Sequence, residues 1–159
     1  MKNTTLCYIE QNGAYLMLHR TKKKNDLNEG KWIGVGGKFE PDEMPEECLL
    51  REVKEETGLT LLKYRLRGIV TFVSDLWETE VMFLYTSNSF EGELTDCAEG
   101  ELRWIPKEDI PKLRLWEGEA KFLRLLDEDS GFFSMKLCYQ GDALADWRTK
   151  IYDENSTAG

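Results

Sequence analysis

The chain has little of what zinc sites, disulfide frameworks and membrane segments require. It carries one histidine, His19, and four cysteines in 159 residues. The cysteines are Cys7, Cys48, Cys97 and Cys138, and no two form a CxxC pair. A zinc site and a disulfide framework are therefore not predicted. No apolar run approaches membrane-spanning length, and the first residues lack a secretory signal pattern, so we expect a cytoplasmic protein without a membrane partner.

Positive charge is also scarce. Lysine and arginine total 21 against 30 acidic residues, which gives a net charge of −9. Because binding to long nucleic acid normally needs a basic surface, that class of function is not expected. The length suits a single domain spanning residues 1–159, with a frayed tail at 153–159. The acidic residues are the feature that calls for an explanation.

Three of the acidic residues share one predicted helix. Pro45 suits its first turn, and Gly58 suits the left-handed residue that ends it. Between them, Glu52, Glu55 and Glu56 fall at i, i+3 and i+4, where like charges repel by roughly 0.2–0.5 kcal/mol per pair. A divalent cation such as Mg²⁺, which prefers oxygen ligands, would relieve that repulsion. The alternative is an ordinary solvated acidic helix.

The same helix has an apolar side and one arginine among its acids. The predicted apolar stripe consists of Leu49, Leu50 and Val53. Arg51 is placed to pair with Glu47 or Glu55 and so to orient a carboxylate. One side of the helix is therefore predicted to pack on a core while the other faces a cleft.

Strands surround this helix in the predicted order of elements. The predicted strands are Thr5–Ile9, Ala14–His19, Trp32–Gly37, Tyr64–Ser74, Thr79–Ser87, Leu102–Ile105, Phe132–Cys138 and Trp147–Ile151. A second amphipathic helix is predicted over Leu115–Asp127. The mixed pattern indicates an α+β fold.

Residues 37–59 resemble the Nudix box, G-x5-E-x7-R-E-U-x-E-E-x-G-U, where U is aliphatic. The matching positions are Gly37, Glu43, Arg51, Glu52, Val53, Glu55, Glu56, Gly58 and Leu59. The resemblance implies a loop-helix-loop that binds Mg²⁺ or Mn²⁺ and hydrolyses nucleoside diphosphates linked to another group. It also implies a Nudix α/β/α sandwich with a mixed central β-sheet.

The chain looks most like the MutT-type, 8-oxo-dGTP diphosphatase branch, from about Leu16 through the C-terminal strands. That resemblance implies that an acid before Trp104 completes the metal site or acts as the base. Glu99 is the match, with Glu101 in reserve. It also implies products of nucleoside monophosphate and pyrophosphate.

The branch implies a purine pocket as well. Trp116 matches a tryptophan that stacks on the base, although a core role is equally compatible with the sequence. Glu119 retains the second of two neighbouring acids, and Gly118 replaces the first. Ile33 stands where the branch has an asparagine that reads the purine edge. Phe72 and Phe83 could line the same pocket or belong to the core.

The remaining site residues complete the expected mechanism. Metal is expected on Glu52, Glu55, Glu56 and Glu99 and on a backbone carbonyl at Gly36 or Gly37. Glu55 or Glu99 is the expected base, and Glu43 and Arg51 are expected to orient the metal-binding glutamates. The basic residues expected to meet phosphate are Arg20, Lys23 and Lys38.

Two other functions remain open at this stage. One is a Nudix pyrophosphatase acting on a dinucleotide polyphosphate, a nucleotide sugar or an RNA 5′ end. The other is a ligand-sensing Nudix domain without activity. The protein could be a monomer or a homodimer.

Overall fold

A mixed β-sheet forms the centre of the chain in the computed structural model, which describes residues 1–22 and 28–152. Within that range the strands are β1 (Lys2–Gln11), β2 (Ala14–Arg20), β3 (Trp32–Ile33), β4 (Thr60–Ser74), β5 (Glu80–Glu91), β6 (Gly100–Pro106), β7 (Phe133–Gln140) and β8 (Ala143–Ile151). The strand order is β3-β2-β1-β5-β4-β7-β8, and β6 pairs with β2. The β1–β5 and β4–β7 pairs are parallel and the other strand pairs antiparallel, so the sheet is mixed.

Two helices pack on opposite faces of this sheet. They are α1 (Pro45–Thr57) and α2 (Glu117–Asp127). Alternate residues of β1 serve the two faces, since Leu6 and Tyr8 belong to the core under α2, whereas Cys7 and Ile9 belong to the core under α1. This alternation follows from the two-residue period of a strand. The predicted α+β sandwich with a mixed central sheet is confirmed.

The ends of α1 follow from local chemistry. At its start, the backbone N–H of Met44 donates to the Glu47 carboxylate at 2.9 Å. At its end, Gly58 adopts a left-handed conformation with φ of 82°. The predicted helix start near Pro45 and end at Gly58 are confirmed.

The prediction for the apolar side of α1 was correct for two of three residues. Leu49 and Val53, four positions apart, are fully buried under the sheet. Leu50 is 37% exposed, so its place in the apolar stripe was wrong. The reason is geometric, because successive helical residues are turned by about 100° and Leu50 therefore points away from Leu49.

The strand predictions differ from the structure mainly in length. The strand β4 begins four residues before the predicted Tyr64, and β5 continues to Glu91. The predicted strand at 32–37 is a strand only at Trp32–Ile33, after which the chain contacts β1 through isolated bridges. A 3-10 helix at Lys107–Lys112 was not predicted.

The four cysteines are free thiols, as expected from their spacing. No helix within residues 1–22 and 28–152 is long and apolar enough to cross a bilayer.

Candidate active site

A cavity of about 430 Å³ opens at one end of the sheet, between the start of β1, the loop before α1 and the N-terminus of α2. Its two ends differ in character. The polar end includes Arg20, Gly36, Gly37, Lys38, Glu52 and Glu99. The apolar end includes Ile33, Phe72, Met82, Trp116, Phe122 and Leu137, with Glu119 among them.

Arg51 organises the outer acids of the polar end. Its guanidinium donates to Glu43 at 2.7 Å, to Glu52 at 2.8 Å and to Glu55 at 3.3 Å. The hydrogen bonds that Glu43 accepts from Arg51 and from the Glu40 backbone N–H lower its pKa to about 2. The alternative pairing with Glu47 is wrong, because that carboxylate caps the helix start instead. The Arg51 guanidinium therefore lies between three acids of the box and hydrogen-bonds to each of them.

Glu56 lies deeper, at 7% exposure. The backbone N–H of Gly36 donates to Glu56 Oε1 at 2.7 Å, and Oε2 has no partner among the described residues. Burial and the charges of the nearby Glu99 and Glu52 carboxylates raise its pKa. Arg20 donates to Glu99 Oε2 at 2.6 Å. The inner acids thus form a second group in which Arg20 contacts Glu99.

Glu52 connects the outer and inner acids. Burial raises its pKa, Arg51 opposes that rise, and the charges of Glu55 and Glu99 add to it. Gly37 leaves room for this side chain, because a Cβ at that position would lie 2.5 Å from the Glu52 carboxylate. A side chain at position 37 would therefore displace the Glu52 carboxylate from its observed position.

The inner acids have the chemistry of a site for a hard divalent cation. Within residues 1–22 and 28–152, no three carboxylates are arranged as a ready-made ligand set. However, Glu52, Glu56 and Glu99 repel one another, and Glu56 Oε2 is a buried oxygen without a partner in the described part of the chain. Such oxygens are the donors that Mg²⁺ and Mn²⁺ use. Glu55, with its side chain 58% exposed, lies at the edge of the group.

The structure also separates the alternatives for three predicted residues. Glu101 is exposed and pairs with Arg103 at 2.8 Å, so Glu99 is the acid that reaches the inner group. Phe83 packs against Phe39 and the core under α1, away from the cavity. Lys23 lies outside the described residues.

Trp116 forms one wall of the apolar end. It is only 7% exposed, and its indole N–H donates to Asn28 Oδ1 at 2.7 Å. Phe72 and Tyr139 meet the indole edge-on, and Lys31 Nζ lies 4.3 Å from the ring centroid. Trp116 is thus both a core residue and a lining residue of the cavity, and its stacking on a base stays a prediction.

Glu119 is the buried carboxyl group of the apolar end. Tyr8 donates to its Oε2 at 2.6 Å, and Oε1 has no hydrogen-bond partner among the described side chains and backbone groups. Burial raises the pKa of Glu119 to about 8, even though the Tyr8 hydrogen bond and the Lys31 charge act in the opposite direction. A protonated Glu119 can both donate and accept a hydrogen bond.

Gly118 shows why a second acid is missing here. A Cβ at this position would lie 2.4 Å from Leu137 Cδ1 and 2.9 Å from the Tyr139 hydroxyl. That hydroxyl accepts a hydrogen bond from the Gly118 N–H at 2.7 Å. Tyr8 and Tyr139 were not predicted as site residues from the sequence.

Comparison with known proteins agrees with this geometry. The model of the NUDIX domain matches residues 2–126. An oxidized purine nucleoside triphosphate hydrolase of Danio rerio is 30% identical over 82% of this chain and 83% of its own. The Nudix hydrolase YvcI of Bacillus subtilis is 25% identical over 87% of each chain. The solved MutT structure of Bacillus halodurans is 24% identical, covers 94% of this chain and 98% of its own, and superposes with a TM-score of 0.85.

Proposed function

The chain belongs to the NUDIX domain family and is a Nudix hydrolase, and we propose that it hydrolyses oxidised purine nucleoside triphosphates such as 8-oxo-dGTP to the monophosphate and pyrophosphate. The observation that carries this proposal is the continuity of the two ends of the cavity. An acidic group suited to a metal–triphosphate lies at one end, and an aromatic wall with a neutral carboxyl group lies at the other. The relative from Danio rerio, named for the same activity, supports it.

The polar end supplies the groups for phosphate chemistry. Members of this family use divalent metal ions, and Mg²⁺ or Mn²⁺ would be held by the carboxylates of Glu52, Glu56 and Glu99, with Glu55 and the Gly36–Gly37 backbone beside them. When bound, such an ion neutralises phosphate charge and lowers the pKa of bound water.

The side chains around that metal have separate tasks. Glu55 or Glu99 would take the proton of the attacking water. Glu99 lines the cavity, and Glu55 lies at the exposed edge of the acidic group. Arg51 and Glu43 would keep the acids oriented through the ion pairs described above. Arg20 and Lys38 line the cavity and would meet the phosphates.

The apolar end would select the base. Trp116 and Phe72 provide aromatic surface, and stacking of a base on an aromatic side chain contributes roughly 1–3 kcal/mol. Glu119, kept neutral by burial, would donate to one atom of the purine edge and accept from another. Ile33 adds apolar surface and no hydrogen bond. Recognition of the oxidised base would therefore depend on Glu119 more than on any other side chain of this end.

The test is a substrate panel with purified protein and Mg²⁺, scored for pyrophosphate and phosphate release. The panel contains 8-oxo-dGTP, dGTP, a dinucleotide polyphosphate, a nucleotide sugar and a capped RNA. Pyrophosphate release with the highest kcat/KM on 8-oxo-dGTP is expected. A higher kcat/KM on one of the last three compounds would leave the hydrolase chemistry intact and refute the substrate assignment.

A further inference from the structure

A second cavity, of about 300 Å³, lies at the other end of α2 and is called here the cationic groove. The first cavity is lined by Glu119 and Phe122 near the start of α2, whereas the groove is lined by Leu126 and Asp127 at its end. On β1, the nearest lining residues of the two cavities, Leu6 and Glu10, are four positions apart, which corresponds to about 13 Å along a strand. The groove is therefore separate from the candidate active site.

The groove is cationic in a chain that is strongly acidic. Its lining includes four cations, Lys63, Arg65, Arg67 and Lys107, and two acids, Glu10 and Asp127. The whole chain has a net charge of −9. A local excess of positive charge in such a protein attracts anions to this groove.

The neighbouring acids neutralise only part of that charge. Lys107 pairs with Glu10 at 2.6 Å, and Asp129 is shared by Arg67 at 2.9 Å and Arg65 at 3.3 Å. Lys63 has no ion pair among residues 1–22 and 28–152. Two arginines that share one carboxylate retain capacity for another oxyanion.

Arg67 is the deepest of these cations, at 7% exposure. It donates to Thr86, to the Leu126 carbonyl and to Asp129, while its Nε–H has no partner within the described part of the chain. A buried donor left without an acceptor is destabilising. An oxyanion in the groove would supply an acceptor to this side chain, and a guanidinium matches phosphate oxygens particularly well.

We propose that the cationic groove is a second binding site, specific for a small oxyanion of the phosphate class. The volume suits an anion of the size of pyrophosphate or a nucleoside monophosphate, and the hydroxyl group of Thr86 and the amide group of Asn88 add donors to the lining. The net charge of −9 disfavours a long nucleic acid as the occupant. This site requires neither the metal nor the hydrolysis proposed above.

The test uses the full chain labelled with ¹⁵N, in EDTA and at constant ionic strength, titrated with pyrophosphate or with dGMP. Saturable shifts of the backbone amides at 63–67 and 86–88 are expected. Tighter binding of pyrophosphate would assign the groove to the free anion, and tighter binding of dGMP would assign it to the phosphate of a nucleotide. Shifts confined to residues 36–38, or shifts that do not saturate, would overturn the proposal.

Two double variants make the assignment specific. Lys63→Gln with Arg65→Gln removes two exposed charges of the groove and leaves Arg67 in place at the end of α2. Arg148→Gln with Lys150→Gln removes the same charge from exposed positions of β8. The first pair is expected to weaken binding at least about tenfold, and the second less than about twofold. Equal weakening by both pairs would show that anion binding depends only on the net charge of the protein, and would contradict a specific site in the groove.

Discussion

Glu56 and Glu119 are both buried carboxyl groups with a raised pKa, yet they stand in opposite surroundings. Glu56 lies beside Glu99 and Glu52, so like charge adds to the effect of burial. Glu119 lies among apolar side chains and hydrogen-bonds to Tyr8, so burial alone dominates. A carboxylate in the first setting is stabilised by an added cation, whereas one in the second is stabilised by a proton. The same residue type is thereby suited to metal binding at one end of the cavity and to base recognition at the other.

The largest expected effect comes from removing the charge of Glu56. The Glu56→Gln variant should lose about 10²–10⁴-fold in kcat on every nucleotide of the panel, because the polar end acts on the phosphates common to all of them. Steady-state kinetics across the panel measures this. The matched control, Glu101→Gln, neutralises an exposed acid of β6 and should retain wild-type rates. A loss of kcat in Glu56→Gln that differs between nucleotides with different bases would contradict separate roles for the two ends of the cavity.

Trp116 tests the apolar end. The Trp116→Leu variant should raise KM for purine triphosphates about tenfold or more, since roughly 1–3 kcal/mol of stacking is lost, with a smaller change in kcat. Its Tm should also fall, because Trp116 is part of the core. An unchanged KM in a variant that remains folded at the assay temperature would contradict a stacking role.

Glu119 should make stability depend on pH in an unusual direction. Its folded pKa of about 8 is above the ordinary value of 4.5, so between these values the folded state keeps a proton that the unfolded state has lost. The free energy of unfolding should therefore fall as pH rises from about 4.5 to about 8 and then level off, with a slope of at most about 1.4 kcal/mol per pH unit from this group.

Urea unfolding of the wild type and of Glu119→Gln across that pH range measures this contribution. The glutamine variant removes one titrating group while leaving Glu56 in place, so the difference between the two proteins isolates Glu119. The wild type should lose more stability than the variant as pH rises. Parallel curves would show that Glu119 is not protonated in the folded state.

The smallest expected effect concerns Ile33. The Ile33→Asn variant adds a donor and an acceptor to the apolar end and should change the kcat/KM ratio of 8-oxo-dGTP to dGTP by several-fold, within the roughly 1–3 kcal/mol that one substrate contact usually provides. The kcat with saturating 8-oxo-dGTP should change little, because Ile33 lies away from the acids. A large loss of kcat with an unchanged kcat/KM ratio would indicate that Ile33 acts at the polar end of the cavity and would contradict a role in base selection.

The local parts of the fold and site could be predicted from the sequence. The ends of α1 follow from Pro45 and Gly58. The helical period then places Glu52, Glu55 and Glu56 on the same face of the helix. The strand ends could not be predicted as well, because the ladder of β4 and β5 extends through pairing with a partner rather than through local preference. Leu50 was misplaced because adjacent apolar residues do not reveal which of them faces the sheet.

The sequence by itself determined the family, the acidic helix and the absence of a second acid at Gly118, since these depend on residue identity and spacing. Only the tertiary structure decided that Glu99 rather than Glu101 meets Glu56, because that contact joins α1 to the segment before β6. It also decided that Tyr8 on β1 contacts Glu119 on α2, 111 positions away in the chain. Burial and long-range contacts set the pKa values of the site residues. Both depend on the folded structure, because they join residues that are distant in the sequence.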